Sequence, residues 1–334
     1  MPSEAAARWL SPVPPAHRRR HLRRLLAEPG IVVAPGADTG MTARLVEAAG
    51  FPAVYMTGSG VANSLTGKPD IGLLTLTETA MMARFIVQAT GIPVICDVDD
   101  GYGNAINVIR TVQEFAAAGA SAVQIEDQVS PKRCGSIAGK DVIPAEDMVG
   151  KIQAALDARG DGPAEDRMLV IARTDARGPH GIDEAIRRGQ RYAAAGADLV
   201  FPDALLSVEE YARFAAEVPG AKMFNMGGYA RARTTPKLPI PDVERMGYGL
   251  VIFPLASIRA GVRAQVDFLA GLRARGTEHE VEHIATLDGH PVENWYDFSG
   301  IGTVRALEGL YLDPDQIAAR YGAGAGYQPP TAQD

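Results

Sequence analysis

Asp97 and Asp99 stand two apart in CDVDDGYG (96–103), the densest acidic spot of the chain. Side chains two apart on a strand share a face, so both carboxylates can point at one hard cation. Oxygen ligands without histidine or cysteine favour Mg2+ or Mn2+ over zinc, although the same acids also suit an acidic turn that closes a strand. Asp70 in GKPDIG and Glu126 in QIEDQ are two further acids, able to hold metal-bound waters or to serve as a cap and a surface acid. Cys134 lies in QVSPKRCGSIAGK (128–140), a glycine-punctuated basic stretch that fits either a mobile surface loop or the working part of an enzyme. Arg173, in IARTDAR, interrupts an otherwise buried run. An arginine there requires an anion, from the protein or from a substrate.

Positioning these groups falls to a repeating unit. A helical stretch ends in Ala-Gly or a similar glycine and a β-branched run follows, as in EAAGFPAVYMTG (47–58), QATGIPVICDVD (88–99), AAAGASAVQIED (116–127), AAAGADLVFPDA (193–204) and RMGYGLVIFPLA (245–256). The glycine suits the left-handed residue that ends a helix. The near-continuous apolar runs suit parallel strands buried on both faces. With IVVAPGAD (31–38), MLVIARTDA (168–176) and AKMFNMGG (221–228) they make eight candidate strands. Amphipathic stretches at 75–90, 107–118, 145–159, 181–195, 207–217 and 258–275 alternate with them. This pattern predicts a (β/α)8 barrel of the TIM type over 30–276. A doubly wound sheet is the alternative, but no GxGxxG opens a helix after the first strand. Residues 1–29 read as an N-terminal helical segment, and 277–334 as a C-terminal helical extension or oligomer contact.

Barrels of this kind place their chemistry at the C-terminal ends of the strands. Those ends carry Thr57-Gly58-Ser59, Asp97 and Asp99, Glu126 and Asp127, Arg173 and Asp175, Asp203, Asn225, and Arg259 just beyond the eighth strand. The strands were placed from apolar runs alone, so this concentration of polar side chains is independent support. Arg259 also has a plain role available as a solvated helix residue.

The bulk numbers exclude several classes. With 46% apolar residues among 334 the chain can build a large core, and a net charge of −7 argues against nucleic acid as a partner. No apolar run approaches the roughly 20 residues that span a bilayer. AHRRRHLRRLLAEPG (16–30) is strongly basic, yet no apolar signal segment follows it. It reads as a solvated helix face anchored by Leu22, Leu25 and Leu26, with organelle targeting as the other reading. Two cysteines make no disulfide framework, Cys96 reads as a small core residue, and the reducing cytoplasm is the expected compartment.

PKRCGSIAGK resembles the K-[KR]-C-G-H loop of the isocitrate lyase / phosphoenolpyruvate mutase superfamily. MTGSGVANSLTGKPDIG, DVDDGYGNAINVIRTVQEFAAAGASAVQIEDQ, IARTDAR and FPDA resemble the same superfamily in order and spacing, from about residue 30 to about 275. The likeness is strongest to the short-chain branch of methylisocitrate lyases, dimethylmalate lyase and carboxyvinyl-carboxyphosphonate phosphonomutase. It implies an α/β barrel, commonly a tetramer of dimers that exchange their last helix, so a homotetramer or homodimer is expected. By position it implies Mg2+ on Asp97 and Asp99, with Asp70 and Glu126 reached through waters. It further implies a substrate carboxylate at Thr57, Gly58 and Ser59, substrate oxygens at Arg173, Asp203, Asn225 and Arg259, and Cys134 with Gly135 on a loop that closes over the site.

The chemistry so implied is retro-aldol cleavage of a small 2-hydroxy dicarboxylate, of the malate, dimethylmalate or methylisocitrate type, to a 2-oxo acid and a carboxylate. Mg2+ stabilises the oxyanion, and a cysteine over the departing carbon is a suitable acid, its thiolate favoured by Lys132 and Arg133. A phosphonomutase is the second reading, oxaloacetate decarboxylation or hydrolysis the third, and a non-catalytic binding barrel the fourth.

The sequence departs from the family pattern where the loop docks. Ser136 replaces the usual histidine, Asp203 a glutamate, and Gly228 the acid of an N-x-x-E turn. Ser136 can donate one hydrogen bond but cannot titrate near neutral pH. Asp288 aligns with an arginine that binds an extra carboxylate in methylisocitrate lyases, which argues against a tricarboxylate. Arg231 and Arg233 add positive charge that meets either an anionic substrate group or solvent.

Overall fold

Eight parallel strands, β1 (Val32–Ala37), β2 (Val54–Met56), β3 (Val94–Asp97), β4 (Ala122–Glu126), β5 (Leu169–Thr174), β6 (Leu199–Pro202), β7 (Ala221–Asn225) and β8 (Leu250–Phe253), close into a barrel in chain order. The last pairing, Val32 with Leu250 through Pro35 with Phe253, joins β1 to β8. These features come from a computed structural model that describes residues 4–227, 235–322 and 327. The predicted barrel is therefore observed, and each amphipathic stretch is a helix, such as Leu76–Gln88, Ala105–Ala118 and Ile182–Ala194.

Strand alternation sorts the side chains into two cores. One set, including Val54, Cys96, Val123, Val170, Val200 and Val251, packs with the surrounding helices, and Cys96 is fully buried there. The other set, including Val32, Tyr55, Ile95, Ala122, Ile171, Phe201, Met223 and Ile252, fills the barrel interior. Two residues along from members of this inward set come Thr57, Asp97, Arg173, Asp203 and Asn225. The polar groups at the strand ends are thus the top layer of the barrel's own interior. Gly119, at φ 92°, ends the helix Ala105–Ala118 in the left-handed conformation the repeating pattern required.

The described residues fall into two compact units, Pro14–Ala260 and Met1–Val13 with Gly261–Asp334. The expected boundary after residue 29 is not where the chain divides, because the basic helix Pro15–Ala27 belongs to the barrel unit. Leu22 is packed with the interior cluster, with Leu25 and Leu26 against it. Three of its arginines do not form a solvated face, while Arg20 and Arg24 are exposed. Arg18 donates to Thr90 O at 2.6 Å, Arg19 to Ala120 O at 3.0 Å and Ala116 O at 3.1 Å, and Arg23 to Asp198 Oδ1 at 2.9 Å. Most of these carbonyls lie at the C-terminal ends of outer helices, where cations are favoured.

In the second unit, the short helices Thr277–Ala285, Trp295–Ser299, Ile301–Tyr311 and Pro314–Gly322 are tied by pairs such as Arg320 with Glu308 at 2.7 Å and Arg275 with Glu282 at 2.6 Å. Asp288 is exposed in the turn after the first of them. The helix Ala256–Arg275 crosses the boundary between units and buries none of its residues. No helix among the described residues is long and apolar enough to cross a membrane.

Candidate active site

β3 stops at Asp97, whose Oδ1 accepts from Gln124 Nε2 and from the Asp99 backbone N–H, each at 3.2 Å. Gln124 is fixed in turn by the Tyr55 hydroxyl, which donates to its Oε1 at 2.9 Å. These bonds occupy one oxygen of Asp97 and leave Oδ2 beside Gly58, where a Cβ would stand 2.9 Å from it and 3.2 Å from Asp99 Oδ1. The two carboxylates converge on one point, and glycine at 58 leaves the room. The cause is not a shared strand face. Asp99 lies beyond the strand and turns back in a left-handed conformation (φ 51°) that aspartate tolerates better than most residues.

Lys132, from the glycine-punctuated loop, reaches into this cluster. Its Nζ lies 2.6 Å from Asp70 Oδ1 and 2.7 Å from Asp99 Oδ1, with its side chain 4% exposed. Burial pushes both Asp97 and Asp99 above the ordinary aspartate range, and their mutual repulsion adds to this at Asp97, while Lys132 pulls both down.

On the next strands round the barrel, β4 and β5 place Glu126 beside Arg173. Arg173 donates Nε to Asp175 Oδ2 at 2.8 Å, and Nη2 to Asp175 Oδ1 at 3.0 Å and Asp203 Oδ2 at 2.9 Å. The anion its burial demands is thus supplied by the protein. Its Nη1 lies 3.1 Å from Glu126 Oε2, an ion pair without hydrogen-bond alignment, and both Glu126 oxygens are buried with no hydrogen-bond partner. The two acids beside Arg173 consequently shift in opposite directions. Burial drives Glu126 well above the carboxylate range. Asp175 is buried too, but its bonds to Arg173 and Lys140 hold it well below that range. Asp203 has both oxygens engaged, Oδ2 by Arg173 and Oδ1 by Asn225 Nδ2 at 3.0 Å.

The loop lies over these acids. Gln128 grips the backbone of Arg133, accepting from its N at 2.9 Å and donating to its O at 2.8 Å. The Cys134 amide donates to Asp70 O at 3.0 Å, and its carbonyl accepts from the Ile137 amide at 2.8 Å. Burial, the first cause, pushes the Cys134 thiol up, with Asp70 and Asp203 adding to it. Ser136 and Lys132 oppose them. The expected pull of Lys132 toward the thiolate is present but is outweighed by burial, and Arg133 does not contribute to it. The Lys132 charge is spent on Asp70 and Asp99, Arg133 is exposed, and the environment holds the thiol protonated.

Thr57 caps the helix Gly58–Thr66, accepting from Gly60 N at 3.2 Å, and Ser59 sits half-buried in its first turn. Arg259 lies on the exposed first turn of Ala256–Arg275, its Nε 3.3 Å from Leu255 O. Gly228, Arg231 and Arg233 lie outside the described residues. Tyr55, Gln124 and Lys140 are site residues that the motif reading passed over, and Lys132 entered it only as a neighbour of Cys134. Tyr55 and Gln124 carry a legible signal, since each shares strand parity with a polar strand end, Thr57 or Glu126.

Among the described residues no three acids, histidines or cysteines stand close enough to cage an ion. The arrangement fits Mg2+ all the same, because that ion is usually held by one or two carboxylates, with water and substrate completing its shell. The convergent oxygens beside Gly58, the unbonded Glu126 carboxylate and an all-oxygen donor set meet that requirement.

The family model for phosphoenolpyruvate phosphomutase matches residues 22–272. The chain is 42% identical over 291 residues to 2,3-dimethylmalate lyase of Eubacterium barkeri, covering 87% of this chain and 96% of that one. The crystal structure of a 2,3-dimethylmalate lyase superposes with a TM-score of 0.78 at 33% identity, covering 94% of this chain and 99% of that one. A phosphonopyruvate hydrolase solved with oxalate and Mg++ superposes at 0.76 and 32% identity, covering 89% of this chain and 99% of that one.

Proposed function

Since this chain belongs to the phosphoenolpyruvate phosphomutase family, within the isocitrate lyase superfamily of enzymes, we propose that it is a Mg2+-dependent carbon–carbon lyase acting on a small 2-hydroxy dicarboxylate of the malate or dimethylmalate type. The observation that carries this reading is the place of Cys134, on a loop docked above the acids through its own amide on Asp70 O and through Lys132 on Asp70 and Asp99. A phosphonomutase moves its phosphoryl group between oxygen and carbon of one enolpyruvate and has no carbanion to protonate, whereas a carbon–carbon cleavage does.

Asp97 and Asp99 would hold the ion directly, with Asp70 and Glu126 reached through water. Bound there, Mg2+ supplies positive charge for the oxyanion left when the 2-hydroxyl loses its proton. The first-turn amides of Gly58–Thr66 receive the carboxylate next to that carbon, as helix N-termini receive anions. Thr57 and Ser59 flank it. Arg173 Nη1, the end of the guanidinium without a hydrogen bond, faces the second carboxylate. Asp203 orients both Arg173 and Asn225. Gly135 lets the loop seat, and Arg259 reaches a substrate oxygen only by turning inward.

As the bond between carbons 2 and 3 breaks, its electron pair remains on carbon 3 as the enediolate of the second carboxylate. Cys134 gives its proton to that carbon. The proton lost by the hydroxyl balances the one gained at carbon, so the thiol is restored without net uptake. The loop keeps water from the enediolate until Cys134 acts.

A phosphonate reaction is the second reading, favoured by the likeness to phosphonopyruvate hydrolase. Incubation with Mg2+ and a panel of 2-hydroxy dicarboxylates, read by 2-oxo acid release, tests the first. Phosphorus NMR on phosphonopyruvate tests the second, and phosphorus chemistry without 2-oxo acid release from the panel removes the lyase reading. The same reading expects other copies of the chain to cover Val262, Val266 and Leu269, which are 51%, 60% and 59% exposed.

A further inference from the structure

Lys140 is a buried lysine that the mechanism above does not use. It lies on the returning limb of the loop, its side chain 5% exposed, and its Nζ donates to Gly135 O and to Asp175 Oδ1, each at 2.7 Å. Few lysines are buried so deeply without a partner that compensates the lost hydration. Here one partner is a carboxylate of the barrel and the other a carbonyl of the loop.

The position of that carbonyl matters. Gly135 C=O and Ser136 N–H belong to one planar trans peptide, so they point in opposite directions. Lys140 holds the oxygen end of this unit, which lies within the turn that the Ile137 amide closes on Cys134 O at 2.8 Å. A peptide gripped at its oxygen cannot rotate freely within that turn. Asp175, the other partner of Lys140, also takes two hydrogen bonds from Arg173. One ammonium therefore connects the peptide behind Cys134 to the carboxylate that orients Arg173.

We infer that Lys140 is a positioning residue. It latches the loop to Asp175 at the end of β5 and fixes the Gly135–Ser136 peptide, so that the Cys134 sulfur and the Arg173 guanidinium are set in register when the loop is closed. The latch rests on these contacts alone; its consequence for turnover rests on the lyase reading.

Amide hydrogen exchange by mass spectrometry, without substrate, tests the latch on the full-length protein. The amides of Arg133, Cys134 and Ile137 are bonded to Gln128 Oε1, Asp70 O and Cys134 O, so the closed loop protects them. Lys140→Met should speed exchange across 133–137 by about tenfold or more, while peptides from β4 keep wild-type protection. Lys140→Arg should restore most of it, because a guanidinium can reach both acceptors. Lys140→Gln is the second variant should the methionine form fail to fold. Wild-type exchange over 133–137 in a folded Met or Gln variant would overturn the latch.

In a substrate assay, Lys140→Met should lower kcat about tenfold or more with little change in KM, and Mn2+ affinity should not change. An equal fall in Mn2+ affinity would show a general disturbance of the site and overturn the positioning role. Fast loop exchange with no turnover of any panel member by the wild type would leave the latch standing and remove the lyase.

Discussion

Gly135 rests against Asp203 so closely that a Cβ on the glycine would fall 1.5 Å from Asp203 Oδ2 and 2.8 Å from Arg173 Nη2. The loop therefore seats on the barrel through a backbone surface that admits no side chain. The shorter Asp203, in place of the family glutamate, still holds Arg173 and Asn225 at the floor of that contact.

Gly135→Ala is accordingly expected to keep the loop from closing while leaving the barrel intact. Exchange of the loop amides should quicken and turnover should fall by about tenfold or more. The melting temperature should move little, since a loop contact carries little of the barrel's stability. Calorimetry with exchange mass spectrometry checks both parts, and normal turnover with a protected loop would contradict the contact.

The Tyr55–Gln124–Asp97 chain gives a second prediction. Gln124→Leu removes the side-chain donor that holds Asp97 Oδ1, leaving only the Asp99 amide on that oxygen. Loss of a group that orients a ligand typically weakens metal binding about 10–100-fold. Calorimetric titration with Mn2+ should show a loss in that range, with the fold unchanged by circular dichroism. Unchanged affinity would separate Asp97 from the metal.

A third prediction concerns acid stability. Asp175 has its folded pKa held below the ordinary aspartate value by Arg173 and Lys140. A depressed carboxylate contributes stability above its unfolded pKa of about 3.9, and that contribution is lost as pH falls from there through the folded value. Asp175→Asn should lower unfolding stability by about 3–5 kcal/mol near neutral pH, the usual cost of breaking a buried pair. In urea titrations the gap between wild type and variant should stay constant from about pH 7 to about pH 5 and narrow below about pH 3.9. A gap that widens in acid would contradict the assignment.

Much of this site was legible in the sequence because strand parity is a local signal. Asp97, Arg173, Asp203 and Asn225 each follow an inward apolar residue by two, so the pattern that locates the interior also locates the groups above it. Asp99 could be found by its neighbour but not for the right reason, since its convergence with Asp97 comes from a left-handed turn that no alternation encodes. Lys132 and Lys140 were harder to see. Their partners, Asp70, Asp99 and Asp175, lie tens of residues away, and a lysine in a basic loop looks the same whether it is solvated or buried. The helix Pro15–Ala27 misled for the same reason, because the carbonyls that accept from its arginines belong to distant helix ends.

The central claim is that Cys134 delivers a proton to a carbanion released by carbon–carbon cleavage. Wild type and Cys134→Ser, each with Mg2+ in deuterium oxide, would be given the 2-hydroxy dicarboxylate panel and phosphonopyruvate and followed by proton and phosphorus NMR. The account predicts a 2-oxo acid from the wild type and deuterium at the new C–H bond of the co-product. It also predicts a fall of about 10²–10⁴ in rate for the serine variant. Phosphorus migration or phosphate release in place of 2-oxo acid, or equal turnover by the serine variant, would contradict it.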